Sequence, residues 1–163
     1  MKKLSSVHPI LEVKGAPRAC GRQYGESQAE AIEAFLHMEV TPDPKRLRYA
    51  ARCWEHLKRW EKHVVEFARG MAEGSKLSVE EVTLLLLHEE IAHTNHCTAI
   101  GATGAGTKDG RPIIGENWDW NARLYPWPSL LRLRSDITPA ALHYTFPGLW
   151  AGAGMNEHGM SLV

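Results

Sequence analysis

The sequence predicts an α+β fold in which a helical first part gives way to a strand-rich second part near residue 97. Three observations predict it. Between Ala16 and Thr94 apolar side chains recur at helical spacing. After Cys97, short β-tolerant runs alternate with turn-forming dipeptides. Apolar residues make up 44% and charged residues 23% of 163 residues, the balance of one globular domain with a core to bury.

The first helix is expected from Pro17, a residue suited to an opening helical turn, through Tyr24, Ala31, Ile32, Phe35 and Leu36. Gly21 and Gly25 weaken it but lie four apart on one face, the placement that lets a second backbone approach closely. Thr41-Pro42-Asp43-Pro44 breaks the run, with Asp43 as N-cap and Pro44 in the first turn. A second helical stretch runs from Leu47 through Trp54, Leu57 and Val64 to Ala68, with Gly70 and Gly74 loosening its end. Ser78 and Glu81 form a capping box that opens a third, through Val82, Leu85, Leu86 and Ile91. Leu84 to Leu87 is apolar all round, so burial on more than one side is expected there.

Strands are expected at 97–103 and 112–119, joined by a turn at Lys108-Asp109-Gly110-Arg111, where Asp-Gly supplies positive φ values. Two more are expected at 130–134 and 142–146. A last hairpin joins 149–155 to 160–163 through Asn156-Glu157-His158-Gly159. The chain reaches Val163 within a strand-like segment, which reads as a C-terminally incomplete sheet with an unpaired edge.

Composition narrows the function. Nineteen basic and nineteen acidic residues leave no net charge, so nucleic acid is not the expected partner. No apolar run approaches the roughly 20 residues of a membrane span, and no signal peptide follows Met1-Lys2-Lys3. Three widely spaced cysteines, Cys20, Cys53 and Cys97, fit free thiols in a reducing, cytoplasmic compartment better than a disulfide framework.

The chemically informative segment is Cys97-Thr98, the hairpin, and then Asn117-Trp118-Asp119-Trp120. With Gly15, Gly21 and Gly25 around Gln23-Tyr24 upstream, and Gly154-Met155-Asn156-Glu157-His158-Gly159 downstream, it resembles the N-terminal-nucleophile hydrolases of the penicillin acyltransferase type. Each piece alone is a weak signal; four in the right order are specific.

The resemblance implies an αββα sandwich, present here in part. Residues 1–96 would form the helical pro-segment or α chain, and 97–163 the first part of the β chain. It implies self-cleavage of the His96–Cys97 bond, an α/β heterodimer, further homo-oligomers being open to it, and an autoprocessed acyltransferase or amidohydrolase. Its small-molecule substrate would be an amide or acyl-coenzyme A. Cys97 would be the nucleophile and Asp119 would orient the liberated amine. Asn117 and Trp120 would shape the substrate pocket. Neither metal nor cofactor is implied. The chain departs from the family in carrying His96 where penicillin acyltransferase has glycine. The family's oxyanion-hole asparagine lies beyond the last hairpin strand.

The chemistry has its own logic. An α-amino group has a pKa of about 7.7–8.0, so near neutrality part of it is unprotonated and can serve as general base for the thiol of its own residue. Two other readings compete: a non-catalytic remnant or interaction module, and a metal site formed by His88, Glu89, His93, His96 and Cys97. His88 and His93 are five apart, roughly 140° around a helix, which is not zincin spacing; Glu89 and His93 are four apart. Cys20 and Cys53 read as core-packing thiols, and the tryptophans after Cys97 fit a sandwich core as well as an acyl pocket.

Overall fold

The computed structural model describes residues 8–92, 96–120, 122–150 and 152–163. The chain opens with strand β1 (Ile10–Gly15) and helix α1 (Pro17–Phe35), whose last turn widens through Leu36–Val40. Helices α2 (Pro44–Trp60), α3 (Lys62–Ser75), α4 (Val79–Leu86) and the short α5 (His88–Ala92) follow. Strands β2 (His96–Gly104), β3 (Gly110–Asp119), β4 (Ser129–Ser135), β5 (Ala141–Thr145), β6 (Ala153–Asn156) and β7 (Ser161–Leu162) complete it. The fold is α+β.

The caps explain where the helices begin. Asp43 accepts from the Lys45 and Arg46 amides at 2.8 and 2.9 Å, and Pro44 follows it. Ser78 and Glu81 form the expected capping box. The expected second helix is two: Glu61, at φ −126° and ψ 78°, separates α2 from α3 without glycine or proline. The expected third helix breaks at Leu87, which divides α4 from α5.

Gly70 and Gly74 do not loosen a helix end. They face Gly21 and Gly25 across the α1–α3 interface, and each glycine is a close-approach point. A Cβ on Gly21 would stand 1.9 Å from the Phe67 carbonyl oxygen, and one on Gly70 2.0 Å from that of Arg18. Arg18 clamps the pair from outside through Glu73, with Glu66 at 3.7 Å.

The sheet has the order β1-β4-β5-β6-β7. Strand β1, which the sequence pattern does not reveal, lies parallel to β4. The remaining pairs are antiparallel. Val13, Leu131 and Leu133 share the buried face, while Glu12 pairs with Arg132 and Arg134 on the other at 3.7 and 3.5 Å. One apolar core joins these strands to Tyr24, Phe35, Phe67, Leu84 and Phe146, so the segments before and after Cys97 share it. No helix among the described residues is long and apolar enough to cross a membrane.

Buried Tyr24 ties the first helix to the turn after β5. Its hydroxyl donates to the Phe146 carbonyl at 3.0 Å and accepts from the Gly148 amide at 3.2 Å. Tyr24→Phe leaves the buried Gly148 amide without its acceptor, while the Phe146 carbonyl keeps the Leu149 amide at 3.1 Å, and should cost roughly 1–3 kcal/mol in urea unfolding.

The β2–β3 ribbon stands apart as a second, two-stranded sheet. Its turn differs from the expected tight Asp-Gly turn. Gly104 pairs with Gly110, both at positive φ, so residues 105–109 span the gap. Thr103 and Gly104 carbonyls accept there from Gly106 and Thr107. The final hairpin matches expectation at its turn: Asn156 Oδ1 accepts from the His158 and Met160 amides, both at 3.0 Å, and Gly159 takes φ 80°. Its first strand is shorter than expected, because Phe146 to Trp150 is occupied by a turn.

Candidate functional site around Cys97

Strand register builds the site. Cys97 lies opposite Trp118, Thr98 opposite Asn117, and His96 opposite Asp119. Paired residues share a face and neighbours alternate. Cys97 therefore falls on the face of Glu116, Trp118 and Trp120, while Asn117 and Asp119 occupy the other. Glu116, Trp118 and Trp120 are half-buried, whereas Cys97, Asn117 and Asp119 are exposed.

The tetrad consequently divides in two. Asn117 Nδ2 donates to Asp119 Oδ1 at 2.6 Å, so the amide holds the carboxylate in place. Asp119 stands across from His96, the residue before Cys97, and not on the thiol's face. The tryptophans anchor the ribbon. Trp118 stacks on Phe146 at 5.4 Å and Trp120 meets it edge-on at 4.6 Å, while Phe146 itself stacks on Phe35 in the core. Gly152 permits this, since a Cβ there would stand 2.1 Å from the Trp118 ring.

A cleft of about 440 Å³ opens beside the ribbon, lined by Asn117, Trp118, Trp120, Leu124, Tyr144 and Phe146 among others. Both residues expected to shape a pocket, Asn117 and Trp120, lie on it. Glu116 lines it too.

The Cys97 thiol is held above its ordinary pKa. Desolvation is the largest cause, followed by the Glu116 and Glu89 carboxylates; the Asp119 amide opposes them, and the Asp119 carboxylate adds a smaller push upward. In the intact chain the thiol is thus mostly protonated at neutral pH. Alkylation by iodoacetamide should rise with pH above the range of an ordinary cysteine. Glu116→Gln should speed it at pH 7 by about two- to fivefold, the scale of one exposed charge interaction. Equal rates would remove Glu116 from the thiol's surroundings.

The sequence singles out Glu89 only as a candidate metal ligand, and Glu116 not at all. Glu116 is legible, being two positions before Trp118 on an alternating strand; the influence of Glu89 on the thiol depends on tertiary packing. His93 lies outside the described residues, as does the side chain of His96. Among the described residues no three His, Cys, Asp or Glu side chains converge as a metal site. Cys20 is buried and Cys53 half-buried, both as free thiols. Compared with known proteins, the chain matches no family model and no curated protein.

Proposed function

We propose that this chain is the precursor of a cysteine N-terminal-nucleophile enzyme that cuts its own His96–Cys97 bond and then transfers or hydrolyses an acyl group held in an amide or thioester. The observation that carries the reading is the register that sets an exposed Cys97 opposite Trp118, a residue lining the 440 Å³ aromatic cleft, with Asp119 across from the residue before it. After cleavage the new α-amino group serves as base for the thiol. Asp119, steadied by Asn117, orients that amine and balances its charge between steps. The cleft, apolar along Trp118, Trp120, Tyr144 and Phe146, receives the acyl group.

The thiolate adds to the acyl carbonyl, the carbon–sulfur bond forms, and the amine or thiol leaves with the proton. Water or a second amine then opens the thioester. The two fragments stay together as an α/β heterodimer because β1 pairs with β4 across the cut and one core spans both. Free thiols fit a reducing, cytoplasmic setting.

An acyl donor such as phenylacetyl-coenzyme A should leave an acyl adduct on the peptide beginning at Cys97. Asp119→Asn should cut turnover by at least tenfold while moving the urea midpoint little, since Asp119 is exposed. Loss of stability in step with turnover would make Asp119 structural. A second reading, a non-catalytic interaction module, is favoured by one observation: Ile100, Ile113 and Ile114 are exposed on the ribbon. No adduct and no cleavage would favour it.

A further inference from the structure

A second cleft, of about 200 Å³, shares Trp118 and Trp120 with the first and is otherwise lined by His88, Glu89, Glu90 and Gly152 among others. His88 is the unusual member. Its side chain is 8% exposed, and neither Nδ1 nor Nε2 makes a well-formed hydrogen bond among the described residues, although the Leu85 carbonyl lies near enough to pull on the ring. The Glu89 carboxylate stands 3.9 Å from Nε2, beyond hydrogen-bond reach. The ring lies on Trp120 at 5.3 Å with planes 20° apart and meets Phe35 edge-on at 6.4 Å. A buried polar group left without a partner costs free energy, and such a group in a native fold calls for an explanation.

The surroundings define what would supply the missing partner. Burial is the largest influence on His88 and favours its neutral form, against the pull of Glu89, the Leu85 carbonyl, Glu90 and Glu39. A neutral imidazole offers one acceptor nitrogen. Two carboxylates, of which Glu89 is 71% exposed at its side chain, stand beside it. Three indoles, those of Trp118, Trp120 and Trp150, complete the wall, and indole faces attract cations. Acceptor, anions and π faces together match a primary ammonium carried on a small apolar or aromatic body.

We propose that this cleft holds the amine released from the substrate as a primary ammonium, so that Cys97, paired with Trp118, which lines both clefts, works between an acyl side and an amine side. The proposal rests on the acyl-transfer reading and narrows it to amides of small aromatic primary amines. In the forward step the thiol's sulfur bonds the acyl carbon, the carbon–nitrogen bond breaks, and the thiol proton passes through the α-amino group to the departing nitrogen. The free amine takes one further proton from water and is held as ammonium. Water then cleaves the thioester to the carboxylic acid and restores the thiol.

The test is calorimetric titration of the full Cys97→Ala chain at pH 7 and low salt with phenethylammonium chloride, 2-phenylethanol and sodium phenylacetate. Phenethylammonium should bind at least tenfold more tightly than the alcohol, and phenylacetate more weakly than either. The Glu89→Gln/Glu90→Gln double variant, confined to the cleft rim, should weaken the ammonium at least fivefold and leave the alcohol unchanged. Binding should also shift the His88 ring protons in NMR. Equal affinity for ammonium and alcohol, no binding, or an unaltered double variant would overturn the proposal. Wild-type chain that self-cleaves but does not discriminate in favour of the ammonium would also overturn it, leaving the nucleophile reading in place. Ammonium selectivity in a chain that never cleaves would support the cleft and remove self-processing.

Discussion

Cys97→Ala should leave the polypeptide in one piece under conditions in which the wild type divides into two. The mechanism makes the effect all-or-none. The Cys97 sulfur attacks the carbonyl carbon of the preceding residue, the peptide nitrogen takes the proton as the carbon–nitrogen bond breaks, and water opens the resulting thioester. Alanine offers no nucleophile, and no neighbouring side chain on that strand face can replace one: the paired position is Trp118 and the diagonal one Glu116. Because Cys97 is exposed, the substitution should change stability by no more than about 0.5 kcal/mol, so loss of cleavage cannot be ascribed to misfolding. The raised thiol pKa adds a pH signature. Cleavage should accelerate with rising pH as thiolate accumulates, and Glu116→Gln should move that rise toward lower pH. Cleavage that persists in Cys97→Ala would exclude self-processing by this residue.

Gly70→Ala should be among the most destabilising small substitutions in the helical part. Helix propensity alone favours alanine by about 1 kcal/mol. Against it stands a Cβ 2.0 Å from the Arg18 carbonyl oxygen and 2.7 Å from the Arg22 amide nitrogen, both backbone atoms that no rotamer change can move. Helices α1 and α3 must separate, which opens gaps around Phe67 and Met71, two of the fully buried side chains. The net loss should be about 3 kcal/mol or more, at the upper end of overpacking costs. Gly21→Ala, 1.9 Å from the Phe67 carbonyl oxygen, should behave alike. Gly101→Ala is the control: its nearest neighbour lies 4.0 Å away, so its effect should stay within about 0.5 kcal/mol. Comparable urea midpoints for the three variants would mean that the interface is looser than described.

How much of this was legible beforehand follows from the range of the forces involved. Asp43, Ser78 and Glu81 act within one helical turn, and local sequence reveals them. Gly21 and Gly25 announce that some backbone comes close, but only the tertiary fold shows that it is Gly70 and Gly74, which locally look like weak points of a helix. Strand β1 was invisible because Ile10–Gly15 is short and buries only Val13 fully; its pairing depends on the β4 edge more than a hundred residues away. At the site, Cys97 and the tetrad could be singled out from residue types and order. The division of the tetrad could not, although alternation contained it: Trp118 and Trp120 hold the ribbon against Phe146, while Asn117 and Asp119 bond to each other on the exposed face. The unpartnered imidazole of His88 belongs to packing between α5, Phe35 and Trp120, and no spacing within the sequence encodes it.

N-terminal sequencing of the purified protein, together with its intact mass, decides whether the chain cuts its own His96–Cys97 bond. Two pieces are expected, their masses summing to the chain plus one water, the second beginning Cys97-Thr98-Ala99-Ile100. A single uncut mass after prolonged incubation at mildly alkaline pH, or a cut at any other bond, would contradict self-cleavage there.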